Sequence, residues 1–220
     1  YIYWGLFYGL PYLAPEDAKY ALIDFNDARM LSFGQPNSDF NLRRFLDQGW
    51  DLVDHMGSIC LFERRSPVSH RPYEILRHTD DKITPISLVY FGDWLGLTKF
   101  AVDLQKRQEF RVISLTYGFY SLKHAPPDLS IRVQLIDKTG KLVFSENRKL
   151  CYGIYPSWRW SAGEEVIESY NILIPARIAS GRYKLCMALF DSKTKESLPV
   201  MHPNELVKKY PYFFDWITID

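Results

Sequence analysis

Few residues in this 220-residue chain have types and spacing that could do chemistry. The most telling are Tyr155, Trp158, Arg159 and Trp160, which fall within six consecutive positions. Sugar rings stack on aromatic faces because their axial C–H bonds meet the negative face of the π system. A neighbouring guanidinium can then donate hydrogen bonds to the hydroxyls. These four residues are therefore the candidate glycan-binding set. A structural reading competes with it: Trp158 and Trp160 alternate, so one plugs the end of a β-sandwich while the other stays half exposed.

Catalytic and metal chemistry find less support. Glu164 and Glu165 are adjacent, so on a strand they point to opposite faces and cannot act as a carboxylate pair. Asp137 opens Asp137-Lys138-Thr139-Gly140-Lys141, where a short side chain that stabilises a turn explains it better than a metal does. Asp80 and Asp81 read as a solvated pair in a connecting segment. His55, His70, His78, His124 and His202 never reach metal-ligand spacing, and no glycine-rich phosphate loop or GxSxG elbow occurs. No catalytic residue, metal or cofactor is assigned. Groups that only folding would bring together leave one alternative, a hydrolase with its site between subdomains.

Composition narrows the classes. Lys and Arg number 27 against 26 Asp and Glu, for a net charge of +1, so no polyelectrolyte footprint points to nucleic acid. Aromatic content reaches 16%, which favours strands and, where rings are exposed, contacts with sugar or protein. Cys60, Cys151 and Cys186 contain no CxxC pair; either Cys151 and Cys186 are bridged or both are buried thiols. No apolar run of about 18 residues is present, and no charged region precedes an apolar core as in a signal peptide. The opening Tyr1-Ile2-Tyr3-Trp4-Gly5-Leu6-Phe7-Tyr8 reads as a cut from a longer protein.

The elements that must position the candidate loop follow from periodicity. Residues 18–25 form a short apolar strand, 40–49 show helical spacing ending at Gly49, and 50–53 and 58–63 make two strands around a turn at His55-Met56-Gly57. This predicts a small α/β subdomain over 1–66. Residues 67–85 carry Pro67, Pro72 and Pro85 and read as a linker, with a short helix around 73–77. From residue 86 strands follow one another at 86–91, 97–104, 109–120, 130–137, 141–147, 165–174, 182–191 and 213–219. The expected class is α+β, mainly β: the α/β subdomain, then an antiparallel β-sandwich of jelly-roll or immunoglobulin-like form over 86–220.

The second half presents an ordered series: Leu135-Ile136-Asp137 with Gly140, Gly153-Ile154-Tyr155-Pro156-Ser157, Trp160, Gly163-Glu164, Tyr170, Ile174-Pro175, Gly181, Tyr183, Leu189-Phe190-Asp191 and Leu198-Pro199-Val200. It resembles the β-sandwich appended to polytopic membrane glycosyltransferases of the protein-mannosyltransferase-like type. The first part, with its Tyr-rich opening, Pro11 and Tyr20-Ala21-Leu22-Ile23-Asp24, resembles the soluble tail of a related family of multi-spanning membrane proteins of unknown function. The resemblance implies a non-catalytic, extracytoplasmic accessory region of a membrane-anchored protein. Its partners would be its own upstream transmembrane region and a glycan or lipid-linked sugar. In such enzymes the catalytic acid sits in the membrane part, so no catalytic residue is carried over.

Overall fold

The computed structural model describes residues 2–3, 19–24, 49–65, 70, 72–77, 87–107, 110–201 and 212–220. Every regular element among them is a strand or a short 3-10 turn. No helix among the described residues is long and apolar enough to cross a membrane. The helix expected over 40–49 lies outside them, apart from Gly49. The chain divides into two units, 1–72 with 151–154, and 73–150 with 155–220.

The first unit carries a four-stranded sheet of β1 (Ile2–Tyr3), β2 (Tyr20–Asp24), β3 (Trp50–Met56) and β4 (Ile59–Arg64), in the order β1-β2-β4-β3. β1 runs parallel to β2 and the other pairs are antiparallel. Gly57, at φ 57°, turns β3 into β4; this left-handed backbone suits a residue without Cβ. Ala21, Ile23, Trp50, Cys60 and Phe62 are all at most 2% exposed and make the apolar face. Asp51 is buried as well, and Arg65 Nε at 2.6 Å from its carboxylate supplies the opposite charge that burial demands.

The second unit is built from two sheets. A six-stranded sheet has the order β13-β6-β7-β8-β11-β5, from β5 (Tyr73–Arg77), β6 (Val89–Phe91), β7 (Leu95–Arg107), β8 (Phe110–Ser121), β11 (Glu164–Ile174) and β13 (Val200–Met201). A four-stranded sheet has the order β10-β9-β12-β14, from β9 (Leu129–Ile136), β10 (Leu142–Lys149), β12 (Gly181–Asp191) and β14 (Tyr212–Ile219). All pairings in both are antiparallel. The mainly β, sandwich-like class expected from the period-two pattern is what the chain adopts.

Two edge strands escaped the sequence. Residues 73–77, expected as a short helix in a linker, form β5, an antiparallel neighbour of β11 from Glu164↔Arg77 to Glu168↔Tyr73. A five-residue segment flanked by proline carries too little periodicity to separate helix from strand, and the open edge of β11 decides the matter. β13 is a two-residue strand against β6, below what any pattern can register.

Alternation sorts the side chains of β11 and β8. Glu164, Val166, Glu168, Tyr170, Ile172 and Ile174 share the inner face of β11 and are all buried. Opposite them on β8 stand Phe119, Tyr117, Leu115 and Ile113, each at most 1% exposed. From the four-stranded sheet come Leu129, Ile131, Val133, Leu135, Leu185, Met187 and Leu189. Fully burying one such aliphatic or aromatic side chain stabilises by roughly 1.5–3 kcal/mol, so this interior is the main source of the unit's stability.

Candidate functional site

The segment of interest lies between β10 and β11. It contains two 3-10 turns, Leu150–Gly153 and Ser157–Arg159. Pro156 precedes the second turn in extended conformation at φ −66° and ψ 147°, which is natural for its ring. Backbone bonds Arg159 N–H to Pro156 O and Trp160 N–H to Ser157 O, each 2.9 Å, close the turn. Ser157 is fully buried and ties it down: its hydroxyl accepts from Leu129 N–H at 2.8 Å and donates to Pro127 O. Ala125 N–H donates to Trp160 O at 2.9 Å, so both ends of the turn are bound to the segment leading into β9.

The four candidate residues part company on this frame. Trp160 is 1% exposed and donates its indole N–H to Tyr155 O at 3.0 Å. Tyr155 is 8% exposed, its ring near-parallel to Trp160 at 6.3 Å and to Tyr73 at 5.9 Å. Its hydroxyl donates to Glu164 Oε2 at 2.7 Å. Glu164 also accepts from Ser161 N–H at 2.9 Å and pairs with Arg77 Nε at 3.2 Å, so the buried carboxylate is fully engaged. Trp158 alone projects outward, 47% exposed, with the Arg159 guanidinium 4.7 Å from its ring centre. A guanidinium over one face leaves the other to solvent, in keeping with that half exposure. The structure thus gathers Tyr155 and Trp160 into the interior and leaves Trp158 with Arg159 as the surface pair.

A second cluster of arginine and aromatic rings was not singled out in the sequence. On β10, Glu146 and Arg148 face the interior. Arg148 Nη1 lies 2.5 Å from Glu168 Oε1, with the two side chains only 4% and 2% exposed. The Arg148 guanidinium stacks on Tyr170 at 3.6 Å and also lies 5.5 Å from the Tyr117 ring. Tyr117 donates its hydroxyl to Glu168 Oε2 at 3.0 Å, and Tyr170 donates to Glu146 Oε1 at 2.6 Å. Burial pushes the Glu146 carboxyl above its ordinary range, against the Tyr170 hydrogen bond that pulls it down. Burial also pushes the Tyr170 phenol far up. The signal was present: Glu168 interrupts an apolar series at period two, and Glu146 and Arg148 sit at i and i+2 on the facing edge strand.

The carboxylates weighed for catalysis are otherwise occupied. Glu165 points to the outer face, where Thr98 Oγ1 donates to it, so Glu164 and Glu165 do take opposite sides. Asp137 Oδ1 accepts from Thr139 Oγ1 at 2.6 Å, Thr139 N–H at 2.8 Å and Lys141 N–H at 3.0 Å. The Thr139 hydroxyl first, then the Lys141 amide, hold its carboxyl below the usual range, as a turn-stabilising residue requires. Asp80 and Asp81 lie outside the described residues. Among the described residues no group of three or more His, Cys, Asp or Glu is arranged to hold a metal ion. Cys60, Cys151 and Cys186 are buried thiols, and burial pushes the Cys186 thiol up.

No family model and no curated protein matches the chain. Among solved structures it is similar to the C-terminal domain of Wzt at 11% identity and TM-score 0.37, over 64% of this chain and 89% of that one. It is also similar to chicken MD-1 complexed with lipid IVa, at 16% identity and TM-score 0.29 over 52% and 97%. A calcium-binding mutant of Bacteroides uniformis β-glucuronidase 2 matches at 14% identity and TM-score 0.33, over 50% of this chain and 13% of that one. Likeness at this level carries no argument about what the present chain does.

Proposed function

We propose that the sandwich unit is a non-catalytic glycan-binding module, with Trp158 as its stacking platform and Arg159 as the adjacent hydrogen-bond donor. The observation that carries this reading is a half-exposed indole on a loop whose backbone and flanking rings are already fixed. An immobilised platform loses little entropy when a sugar stacks on it, which makes a large exposed ring useful for recognition. Tyr155 and Trp160 act beneath it as the support that sets the height and tilt of the turn. The polar contacts of Glu164, Glu165 and Asp137 serve the fold.

On this reading the intact protein is membrane-anchored, with this region extracytoplasmic and serving a glycosyltransferase-like membrane portion. The support for that placement is the sequence resemblance, and the glycan it would meet is one borne by a lipid or displayed nearby. A mixed α/β character for the first unit belongs to the same proposal.

Calorimetric titration against a panel of neutral oligosaccharides tests the binding reading, with Trp158→Ala as the comparison. Saturable binding by the parent and a loss of about tenfold or more in the variant supports it. Equal binding by the two proteins, or none by either, removes it.

A further inference from the structure

The outer face of the four-stranded sheet carries a second concentration of arginine, lysine and aromatic side chains, separate from the Trp158 turn. Trp216 of β14 stands directly opposite Lys184 of β12, with Arg182 opposite Thr218 one step along. The Arg182 guanidinium lies 5.0 Å from the Trp216 ring and the Lys184 ammonium 5.3 Å from it, so one indole is flanked by two cations. Across the sheet Arg132 of β9 takes the same face. It donates from Nε to Asn147 Oδ1 of β10 at 2.7 Å and lies 5.0 Å from the Phe190 ring.

Charge on this face is one-sided. The outward positions of β9, β10 and β12 supply Arg132, Lys149, Arg182 and Lys184 and no carboxylate. Among the neighbouring acids, Asp215 stands within β14 opposite Leu185, whose side chain is inward, and the others sit at or past the strand ends. Asp128 pairs with Lys149 at 3.0 Å, Asp191 caps its own turn through Lys193 and Thr194 amides, and Asp220 follows β14. The whole chain has a net charge of only +1, so this basic face is a local arrangement and not the residue of a basic protein. Interleaved with the cations are Gln134, Ser145, Asn147 and Thr218, polar groups of the kind that meet hydroxyls, while the large exposed apolar side chain on this face is Leu142 at one end of β10, opposite Ile136. A bilayer would require a broad apolar face for insertion, and one leucine at an edge does not make one.

We infer that this face binds an anionic polysaccharide, its carboxylates meeting Arg182, Lys184 and Arg132 while a sugar ring lies against Trp216. From the level of Arg182 to that of Arg132, which pairs with Ala188, the strip runs six residues along β12. At about 3.3 Å per residue that is roughly 20 Å, a length suited to an oligomer and not to a single small anion.

The test uses the full 220-residue chain and polygalacturonate as the carboxylated probe, with dextran as the neutral one, at low ionic strength. Retention on polygalacturonate that weakens with added salt, a loss of about tenfold or more of that retention in the Arg182→Ala/Lys184→Ala double variant, and no effect of the double variant on any retention by dextran through the Trp158 turn are expected. The variant must keep the parent urea midpoint, and Arg132→Ala provides a second, milder loss at a separate strand. Trp158→Ala should retain polygalacturonate, which separates this face from the neutral-glycan site. The inference is overturned by no retention of the parent, by equal retention of parent and double variant, or by binding only to phosphatidylserine vesicles or only to a single-stranded oligonucleotide.

Discussion

Of the arginines that lie on aromatic rings in the sandwich unit, Arg148 and Arg159 do different work. Arg148 sits 3.6 Å from Tyr170 with its carboxylate partner Glu168, both charged side chains at most 4% exposed. Arg159, itself half-buried, sits 4.7 Å from Trp158, a ring 47% exposed. In the interior, each charge is tolerated because the other and the phenols around it replace water; removing one member strands the rest. At the surface water remains at hand, so the stacking contact contributes about 0.5–1 kcal/mol at most. Burial, and not residue type, separates the structural cluster from the candidate site.

Breaking the interior cluster should produce the largest effect. Arg148→Ala leaves Glu168 charged and sealed between the sheets, and a loss of about 3–5 kcal/mol is expected in urea denaturation. A loss below about 1 kcal/mol would show that the cluster is wetter than its geometry implies. Trp160→Ala opens a cavity under the turn and should cost about 3–5 kcal/mol as well. In addition it should weaken glycan binding by loosening the platform. Tyr155→Phe is narrower: it deprives buried Glu164 of one donor and should cost about 1–3 kcal/mol, with the ring stacking kept.

Glu146 offers a pH signature. Its carboxyl is raised in the folded protein, chiefly by burial, so between its unfolded and folded pKa values the folded state binds more protons than the unfolded state. Its contribution to stability is therefore present at low pH and is lost as pH rises through the folded value. Glu146→Gln, which keeps a hydrogen-bond acceptor for the Tyr170 hydroxyl, should flatten that part of the stability profile and raise the melting temperature at pH 7. An unchanged profile in the variant would place the protonation elsewhere.

The comparison also shows which parts of the molecule the sequence disclosed. Period-two patterning announced β8, β9, β11 and β12 because long strands with one buried face repeat the signal many times. β5 and β13 stayed hidden because an edge strand of five residues or two takes its identity from the neighbour it completes. Within residues 155–160 the alternation of Trp158 and Trp160 was legible, while the fate of Tyr155 depended on Tyr73 and Glu164, which sequence distance conceals. The Arg148–Glu168 pair joins positions twenty residues apart on two sheets, and only their shared inward parity hinted at it.

Trp158→Ala brings the smallest expected change in stability, within about 0.5 kcal/mol, because nothing in the interior rests on that ring. This makes it the sharpest probe of the surface pair. The decisive measurement is the neutral-oligosaccharide titration of parent and Trp158→Ala side by side, with a urea melt of each. The account predicts equal melts and an affinity lower by about tenfold or more in the variant. Equal affinities with equal melts would contradict it, as would a variant that melts several kcal/mol below the parent.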